Sequence, residues 1–350
     1  MINIAILGAG IGREHLAALR ALPDVFHVDA VVDRDTARIE EIREGDDFKA
    51  YTQIEDALSD PNIDVIDVCL PPHLHVPTTI AALWAGKHVI CEKPLATSLA
   101  DVDAIRQAAR DNDRHVFPVF QYRWGPALAQ LRHLMATGLT GPVQTAALET
   151  HWSRDASYYA NDWRGTWAGE QGGAVLGHAI HNHDLLTYIA GDVAALSAMT
   201  TTRVNPIETE DCAAITFQMA SGALCTSNIT LGAAGDETRL RIVFEHLTAT
   251  SGTAPYAPGA APWTFVARDP QQQETLDKAV ANAPAEPIGF EGFFAEVGKA
   301  LNGAPNNAVT LDEGAASVAL VTAIYHAART GTRVRFPLTS DHPLYKGWQP

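Results

Sequence analysis

Residues 2–15, Ile2-Asn3-Ile4-Ala5-Ile6-Leu7-Gly8-Ala9-Gly10-Ile11-Gly12-Arg13-Glu14-His15, decide how the first half of this chain folds. The apolar run 2–7 reads as a strand. Three glycines follow, and then a pattern over 15–22 whose apolar positions recur at helical spacing. Glycines between a strand and a helix allow a tight turn and let backbone N–H groups approach a pyrophosphate, which the helix N-terminus then stabilises. Alone they are equally explained by an ordinary strand-to-helix turn. A second strand, 28–32, ends at Asp33, about twenty residues past the glycines, where a carboxylate can accept both hydroxyls of an adenosine ribose. Taken together, these features point to a dinucleotide site formed by Gly8, Gly10, Ile11, Gly12 and Asp33. The third glycine comes one residue early (G-x-G-x-G), with Arg13 in the usual place, so the turn is built differently in detail. Asp33 repels a 2′-phosphate and favours NAD. Its neighbour Arg34 could receive that phosphate, so NADP stays open.

Working outward, further β-rich runs at 63–70, 88–91 and 116–120 alternate with helical patterns such as 101–110. Strands apolar on both faces and separated by helices imply a doubly wound parallel sheet. The run Ile63-Asp-Val-Ile-Asp-Val-Cys-Leu70 is a partial exception, because its aspartates need partners or an exposed end. After Arg123 the pattern changes. A helix over 126–136, a strand over 143–150, and a helix from about Gly173 to Ala190 are followed by period-two runs. Ile215, Phe217 and Met219 face one side, and Ser221-Gly222 turns the chain into 223–230. Strand-like runs at 238–244, 247–250 and 263–266, a loop over 251–262, a polar linker over roughly 270–287, a helix over 312–330 and a short strand near 333–336 complete the chain. The fold class expected is α/β followed by α+β. Residues 1–122 form the doubly wound domain. Residues 123–350 form a domain on an open, mainly antiparallel sheet, with the helix 312–330 packing back toward the first.

The chain has 350 residues, 41 acidic against 25 basic, and a formal net charge of −16. That length suggests two domains, and the acidic balance disfavours nucleic acid and anionic membranes as partners. Cys69, Cys91, Cys212 and Cys225 are scattered without a C-x-x-C pair, so reduced structural thiols are expected. No cleavable leader pattern and no apolar run of membrane-spanning length is present, and the expected location is the cytoplasm.

The run 88–91 is a strand ending in Glu92-Lys93-Pro94. Ligands of an open parallel sheet bind beyond the carboxyl ends of its strands, which puts Glu92 and Lys93 beside the nicotinamide. A lysine there can hydrogen-bond the reacting oxygen and share in proton transfer. At this point the chain resembles the glucose–fructose oxidoreductase / inositol dehydrogenase (Gfo/Idh/MocA) family. The matching residues are Gly8-Ala-Gly-Ile-Gly-Arg-Glu-His15, Asp33, Leu70-Pro71-Pro72-His73-Leu74-His75, Glu92-Lys93-Pro94, Trp163-Arg164 and the segment Gly172-Gly173 to His181 and Asp184. The ending Ala-Arg-Thr-Gly followed by Arg-Val-Arg-Phe-Pro is also similar.

The resemblance implies an N-terminal Rossmann domain, NAD(P), and a sugar, polyol or related substrate. It also implies homo-oligomerisation, as dimer or tetramer, through the open sheet. It makes Lys93 the active-site lysine, with a peptide bond to Pro94 that can be cis, and His181 the group that takes the hydroxyl proton. It puts Pro71 near the nicotinamide ribose, with Leu70 beside it as a further candidate cofactor contact. Trp163 and Arg164 would approach cofactor or substrate from the second domain. His75, which would shape the loop and cap the next helix, is also a candidate cofactor contact.

The family often carries an aspartate four residues before the histidine; here that position is Gly177. On a helix, His178, His181 and Asp184 share one face. His178 could replace the missing aspartate as polar partner, or Asp184 could supply the negative charge, and His183 points elsewhere. Arg123 either binds substrate or pairs with acids. A metal held by these residues lacks an evident fourth ligand, and hydride transfer to nicotinamide needs none. The function expected is an NAD(P)-dependent oxidoreductase acting on a hydroxyl-bearing carbon of a sugar or cyclic polyol. Its alternatives are a glycosidase using transient oxidation by retained NAD, and a non-catalytic sugar or cofactor sensor.

Overall fold

The computed structural model describes residues 1–350. Strand β1 (Ile2–Leu7) is buried at every position but Asn3, as its unbroken apolar sequence requires of a central strand. It runs into helix α1 (Gly12–Arg20), then β2 (Phe26–Val32), α2 (Thr36–Arg43), β3 (Lys49–Tyr51) and α3 (Ile54–Ser59). The series continues with β4 (Val65–Val68), α4 (His75–Trp84), β5 (His88–Cys91), α5 (Leu99–Asp111) and β6 (Val116–Pro118). Two of these helices start on side-chain caps. Asp35 Oδ1 accepts the N–H of Ala37 in α2, and Ser98 Oγ accepts that of Asp101 in α5. Each such cap stabilises by about 1 kcal/mol.

The six strands lie in the order β3-β2-β1-β4-β5-β6 and all pair in parallel. This is the Rossmann order, in which the connections leave β1 in opposite directions and open a crevice at its carboxyl end. Ile4, Ile6, Val65, Ile66, Val89 and Ile90 have no exposed surface. Burying each contributes roughly 1.5–3 kcal/mol, so the sheet's centre is the stable platform beneath that crevice.

The remaining strands build a second sheet. In chain order come α6 (Pro126–Ala136), β7 (Val143–Ser153), a π-helical turn (Val175–Ala179), α7 (Ile180–Ala190), β8 (Val193–Thr201), β9 (Cys212–Met219) and β10 (Leu224–Thr230). These are followed by β11 (Gly232–Phe244), β12 (Leu247–Thr250), β13 (Thr264–Ala267), α8 (Gln273–Ala281), α9 (Gly289–Leu301), α10 (Leu311–Thr330) and β14 (Val334–Arg335). The order is β13-β12-β11-β7-β10-β9-β8-β14, antiparallel throughout except for the parallel pair β7 and β10. In the β9–β10 hairpin, Phe217 pairs with Cys225 and Ile215 with Ser227 on the buried face, while Thr216 pairs with Thr226 on the other. Gly222, with φ of 94°, makes the turn. The doubly wound sheet and the mainly antiparallel sheet expected from the sequence are both present.

Local readings needed correction in three places. The supposed linker over 270–287 contains α8, whose Gln, Glu, Leu, Lys and Ala residues all favour helix and which carries a Glu274–Lys278 pair at 2.7 Å. Only Leu276 of that helix is buried, so its apolar periodicity was too thin to read. Residues 289–301 form α9, which buries Phe293, Phe294 and Val297 and went unread in the sequence. The helix read from about Gly173 begins instead as a π-helical turn, and α7 proper starts at Ile180.

The chain divides into two compact units. One comprises Met1–Phe120 with Phe290–Val318, and the other Gln121–Gly289 with Ala319–Pro350. Segment 290–318 thus groups with the parallel sheet, although a single cut after residue 122 would give it to the other unit. No helix is long and apolar enough to cross a membrane.

Candidate active site

In the first unit the glycine turn is shaped by sterics. Gly8 has φ of 102°, and a Cβ there would lie 2.5 Å from the carbonyl oxygen of Cys69. A Cβ on Gly12 would lie 2.7 Å from Ile6 Cγ2, so helix and strand pack at glycine distance. Gly10 is different: a Cβ there would meet nothing within 4 Å. Its freedom is therefore directed outward, where the backbone is open to a ligand. Ile11, the N-cap of α1, is exposed and supplies no side-chain cap to the helix start. Asp33 accepts the N–H of Ala9 through Oδ2 and that of Asp35 through Oδ1, both at 2.9 Å. An outward-facing glycine, an uncapped helix start and a carboxylate tied to the same turn fit a dinucleotide. Arg34 stands exposed beside Asp33.

Leu70 and Pro71, both half-buried, leave the carboxyl end of β4 next to that turn. His75 is 1% exposed, and its two ring nitrogens each lie 2.7 Å from a carbonyl oxygen, of Pro94 and of Leu70. Both contacts carry a proton only in the charged ring, whereas burial lowers the pKa of this imidazole. Burial dominates here because no carboxylate pairs with the ring, so the neutral form with one donated bond is the state we assign. In either form His75 ties the ends of β4 and β5 together, rather than offering a nitrogen to a ligand.

Glu92 and Lys93 follow directly on β5, with the Lys93–Pro94 peptide cis. Glu92 is buried, and its Oε2 accepts the main-chain N–H of Lys93 at 3.0 Å. Behind it lies a group the sequence reading passed over. His15 Nδ1 is 2.8 Å from Asp67 Oδ2, and its Nε2 is 3.2 Å from Glu92 Oε1. Asp67 is the strand aspartate that needed a partner, and the only sequence signal was its place in an apolar run. Cys69 Sγ also approaches His15 Nδ1, at 3.3 Å. His15, Asp67 and Cys69 offer ligand-type atoms within 4.8 Å of one another. Burial raises the pKa of the Cys69 thiol, which disfavours the thiolate that a metal would take.

In the second unit, His181 lies on α7 with its ring stacked on Tyr122, centroids 4.3 Å apart and planes 19° apart. Tyr122 is fixed in turn by its hydroxyl, which donates to Pro255 O at 3.0 Å. Arg123 is 3% exposed. It reaches Asp184 through Nε at 2.8 Å and through a second nitrogen at 2.6 Å, with its guanidinium 4.6 Å from the centre of the Tyr188 ring. Of the two readings of Arg123, the geometry is that of pairing with an acid. Asp184 is correspondingly the counter-ion of a buried arginine.

His178 lies in the π-helical turn and not on the α-helical face it was expected to share, because the wider turn changes the angular spacing of its residues. Its Nε2 is 3.4 Å from the hydroxyl of Tyr158. Arg164 donates to that same hydroxyl and to Glu170 Oε1, and stacks over the rings of Tyr158 and Trp163 at 4.1 and 4.5 Å. Trp163, Arg164, Tyr158 and His178 therefore form one cluster. At Gly177 a Cβ would meet nothing within 4 Å, so a side chain there has room. His183 lies in the core, its Nε2 3.0 Å from Ser227 Oγ, and burial lowers its pKa to about 4.

The start of this helical segment is anchored by Glu210, which no sequence pattern marked. Its carboxylate accepts Val175 N–H at 3.0 Å, Gly173 N–H at 3.2 Å and the Tyr325 hydroxyl at 3.0 Å. A Cβ on Gly173 would lie 2.0 Å from Glu210 O, so glycine is required for this approach. Burial pushes the Glu210 pKa up to about 7.

Known proteins share this fold. Residues 2–120 match the sequence model of the GFO/IDH/MocA oxidoreductase family's NAD-binding Rossmann fold, and residues 128–250 match that of the same family's C-terminal domain. Myo-inositol 2-dehydrogenase of Thermotoga maritima is 29% identical over 230 residues, 64% of this chain and 66% of that protein. Levoglucosan dehydrogenase of Pseudarthrobacter phenanthrenivorans is 30% identical over 213 residues, 57% of this chain and 54% of its own length. The chain thus spans between half and two thirds of these relatives. Among solved structures, the WlbA dehydrogenase from Bordetella pertussis in complex with NADH and UDP-GlcNAcA superposes with a TM-score of 0.84 at 26% identity. That match covers 97% of this chain and 99% of the other. With both domain models matched in order and the fold shared end to end, this chain belongs to the Gfo/Idh/MocA family of oxidoreductases, and its first domain is an NAD-binding Rossmann domain.

Proposed function

We propose that this protein is an NAD-dependent dehydrogenase acting on a hydroxyl-bearing carbon of a sugar, sugar derivative or cyclic polyol, with Lys93 and His181 handling the proton. The observation that carries the reading is the carboxyl edge of the parallel sheet. There Asp33 is bonded to the glycine turn, and Lys93 follows β5 with its main chain held by Glu92. The names of the relatives support the substrate class, since one acts on inositol and another on levoglucosan.

Bound NAD supplies the hydride acceptor. The chain's own residues do the rest. The outward N–H groups of the glycine turn and the start of α1 receive the pyrophosphate. Asp33, already oriented by two main-chain donors, keeps lone pairs for the ribose hydroxyls. Lys93 donates a hydrogen bond to the reacting oxygen and stabilises negative charge as it develops. His181, its ring held flat against Tyr122, accepts the hydroxyl proton as general base. Trp163, Arg164, Tyr158 and His178 supply aromatic surface and hydrogen-bonding groups suited to a hydroxylated ring. Association of copies through the open face of the eight-stranded sheet is supported by Met199, Leu224 and Val266, which are 72%, 64% and 58% exposed.

A panel of sugars, sugar nucleotides and cyclic polyols, each with NAD and with NADP, tests the reading. Reduced-cofactor absorbance with at least one of them is expected, with NAD preferred. Sugar release from glycosides without net NADH would replace this reading with that of a glycosidase. Binding of cofactor and sugar with no reaction of either kind would replace it with that of a sensor.

A further inference from the structure

His15 has no exposed surface and faces a carboxylate through each ring nitrogen. The three residues come from α1, β4 and the end of β5. The ring is closed in by Phe290 and Phe294 of α9, at centroid distances of 4.6 and 5.3 Å. A ring between two acceptors satisfies both only when both nitrogens are protonated. Burial, the largest single influence, would favour the neutral ring, but Asp67 and Cys69 together hold the His15 pKa well above the usual histidine value. The charged and titratable groups facing the ring are Asp67 and Cys69 from β4 and its end, and Glu92 with Lys93 next to it. From α9 the ring meets the phenyl rings of Phe290 and Phe294.

Glu92 is the link to the reaction. One oxygen faces His15 and the other holds the Lys93 N–H, so the carboxylate cannot turn without breaking both. Neutralising Asp67 alone would need no contact on the far side of the ring. The Nε2 contact serves Glu92. His15 also lies on the first turn of α1, the helix that starts at the glycine turn. One rigid helix therefore carries both the cofactor-facing N-terminus and the group that steadies the lysine's neighbour.

We propose that His15 is a positioning residue: bonded to Asp67 on one side and Glu92 on the other, it locks the carboxylate that holds the Lys93 main chain. It thereby sets the place and proton affinity of the Lys93 amine. The inference rests on Lys93 being the residue that meets the reacting oxygen. Without His15, Glu92 loses a cation bonded to it, and the less compensated carboxylate beside Lys93 favours the protonated amine.

The test needs neither cofactor nor substrate. Protein carrying 13C-methylated lysines is titrated by NMR, with the Lys93 signal identified by its loss in Lys93→Arg. In His15→Gln and His15→Phe the Lys93 titration is expected to move upward by about half a pH unit or more. In His15→Gln/Asp67→Asn, which removes the charge deficit and leaves an amide to face Glu92, it is expected to return toward the wild-type value. A merely structural histidine would alter melting but not this titration. An unchanged Lys93 titration in single variants that unfold cooperatively overturns the proposal. If those variants do not fold, 15N-histidine NMR of the unaltered protein decides. Both His15 nitrogens are expected to stay protonated at pH values where an ordinary histidine has lost its proton, and a ring titrating near the ordinary histidine value would sink the idea. With an active substrate, His15→Gln should lower kcat by about tenfold or more while KM for NAD changes little. If Lys93 titrates as proposed but no substrate is turned over, the dehydrogenase reading fails and the positioning stands. The reverse result separates them the other way.

Discussion

Asp33 Oδ2 accepts the main-chain N–H of Ala9 at 2.9 Å, so the carboxylate that ends β2 is fastened to the glycine turn that follows β1. Its second oxygen accepts the N–H of Asp35, again at 2.9 Å. The group is preorganised, and a carboxylate holding the ribose hydroxyls would repel a 2′-phosphate. Asp33→Ala should weaken NAD binding by about 1–3 kcal/mol, the cost of leaving its donors unpaired. It should also narrow the preference for NAD over NADP. Fluorescence titration with both cofactors measures this, and an unaltered preference would count against the role of Asp33.

Lys93 and His181 are the groups assigned to the proton. Lys93→Met and His181→Asn should each lower kcat by about 10²–10⁴-fold, the usual contribution of a positioned acid or base. NAD affinity should stay within a few-fold. Full turnover in both variants on a substrate from the panel would remove the two residues from the mechanism.

Arg123 and Asp184 form a buried pair with two hydrogen bonds, at 2.8 and 2.6 Å. Removing one partner strands a charge without water, so Asp184→Asn should cost about 3–5 kcal/mol of stability. Replacing both, as in Arg123→Met/Asp184→Leu, should recover most of that loss. Urea unfolding at pH 7 compares the three proteins. A double variant no more stable than the single one would show that the pair has a role beyond neutralising itself.

Gly177 lies in the π-helical turn with open space where a Cβ would be. Gly177→Ala should therefore be tolerated and raise stability by about 0.5–1 kcal/mol through lower backbone entropy in the unfolded chain. Gly177→Asp places a carboxylate four residues before His181. It should raise the proton affinity of His181, moving the acid limb of the kcat/KM profile for oxidation to higher pH. An unmoved limb would mean that this carboxylate does not reach the histidine.

Glu210, pushed up to about 7 by burial, binds a proton more tightly in the folded chain than in the unfolded one. A group raised in this way stabilises the fold at low pH and loses that contribution as pH rises. The window runs from about 4.5, the unfolded value, to about 7. Glu210→Gln should remove this negative slope between those pH values, whatever it does to absolute stability. Chemical denaturation across the window measures it, and an identical slope in both proteins would refute the assignment.

The parallel sheet was legible because its strands are continuous apolar runs punctuated by glycines and separated by helical periodicity, all of them local signals. The second sheet was legible from alternation, as at Ile215, Phe217 and Met219. What escaped was carried by composition without periodicity, as in α8 with only Leu276 buried, or by residues whose partners are remote in the chain. His15 and Asp67 are separated by 52 positions, and Glu210 and Tyr325 by 115. No spacing rule joins such pairs, because each bond forms only once the strands are stacked.

The sequence by itself determined the two-part architecture, the dinucleotide turn with its acidic residue and the strand ending in Glu92-Lys93-Pro94, because these depend on steric and hydrogen-bonding rules acting over a few residues. Only the tertiary structure decided the partners. It paired Arg123 with Asp184, put His178 in a π-helical turn beside Tyr158, and gave His75 to two main-chain carbonyls. It also set His15 between the carboxylates of Asp67 and Glu92. A buried charge takes whichever opposite charge the packed fold brings within about 3 Å, and that choice is made by the whole chain at once.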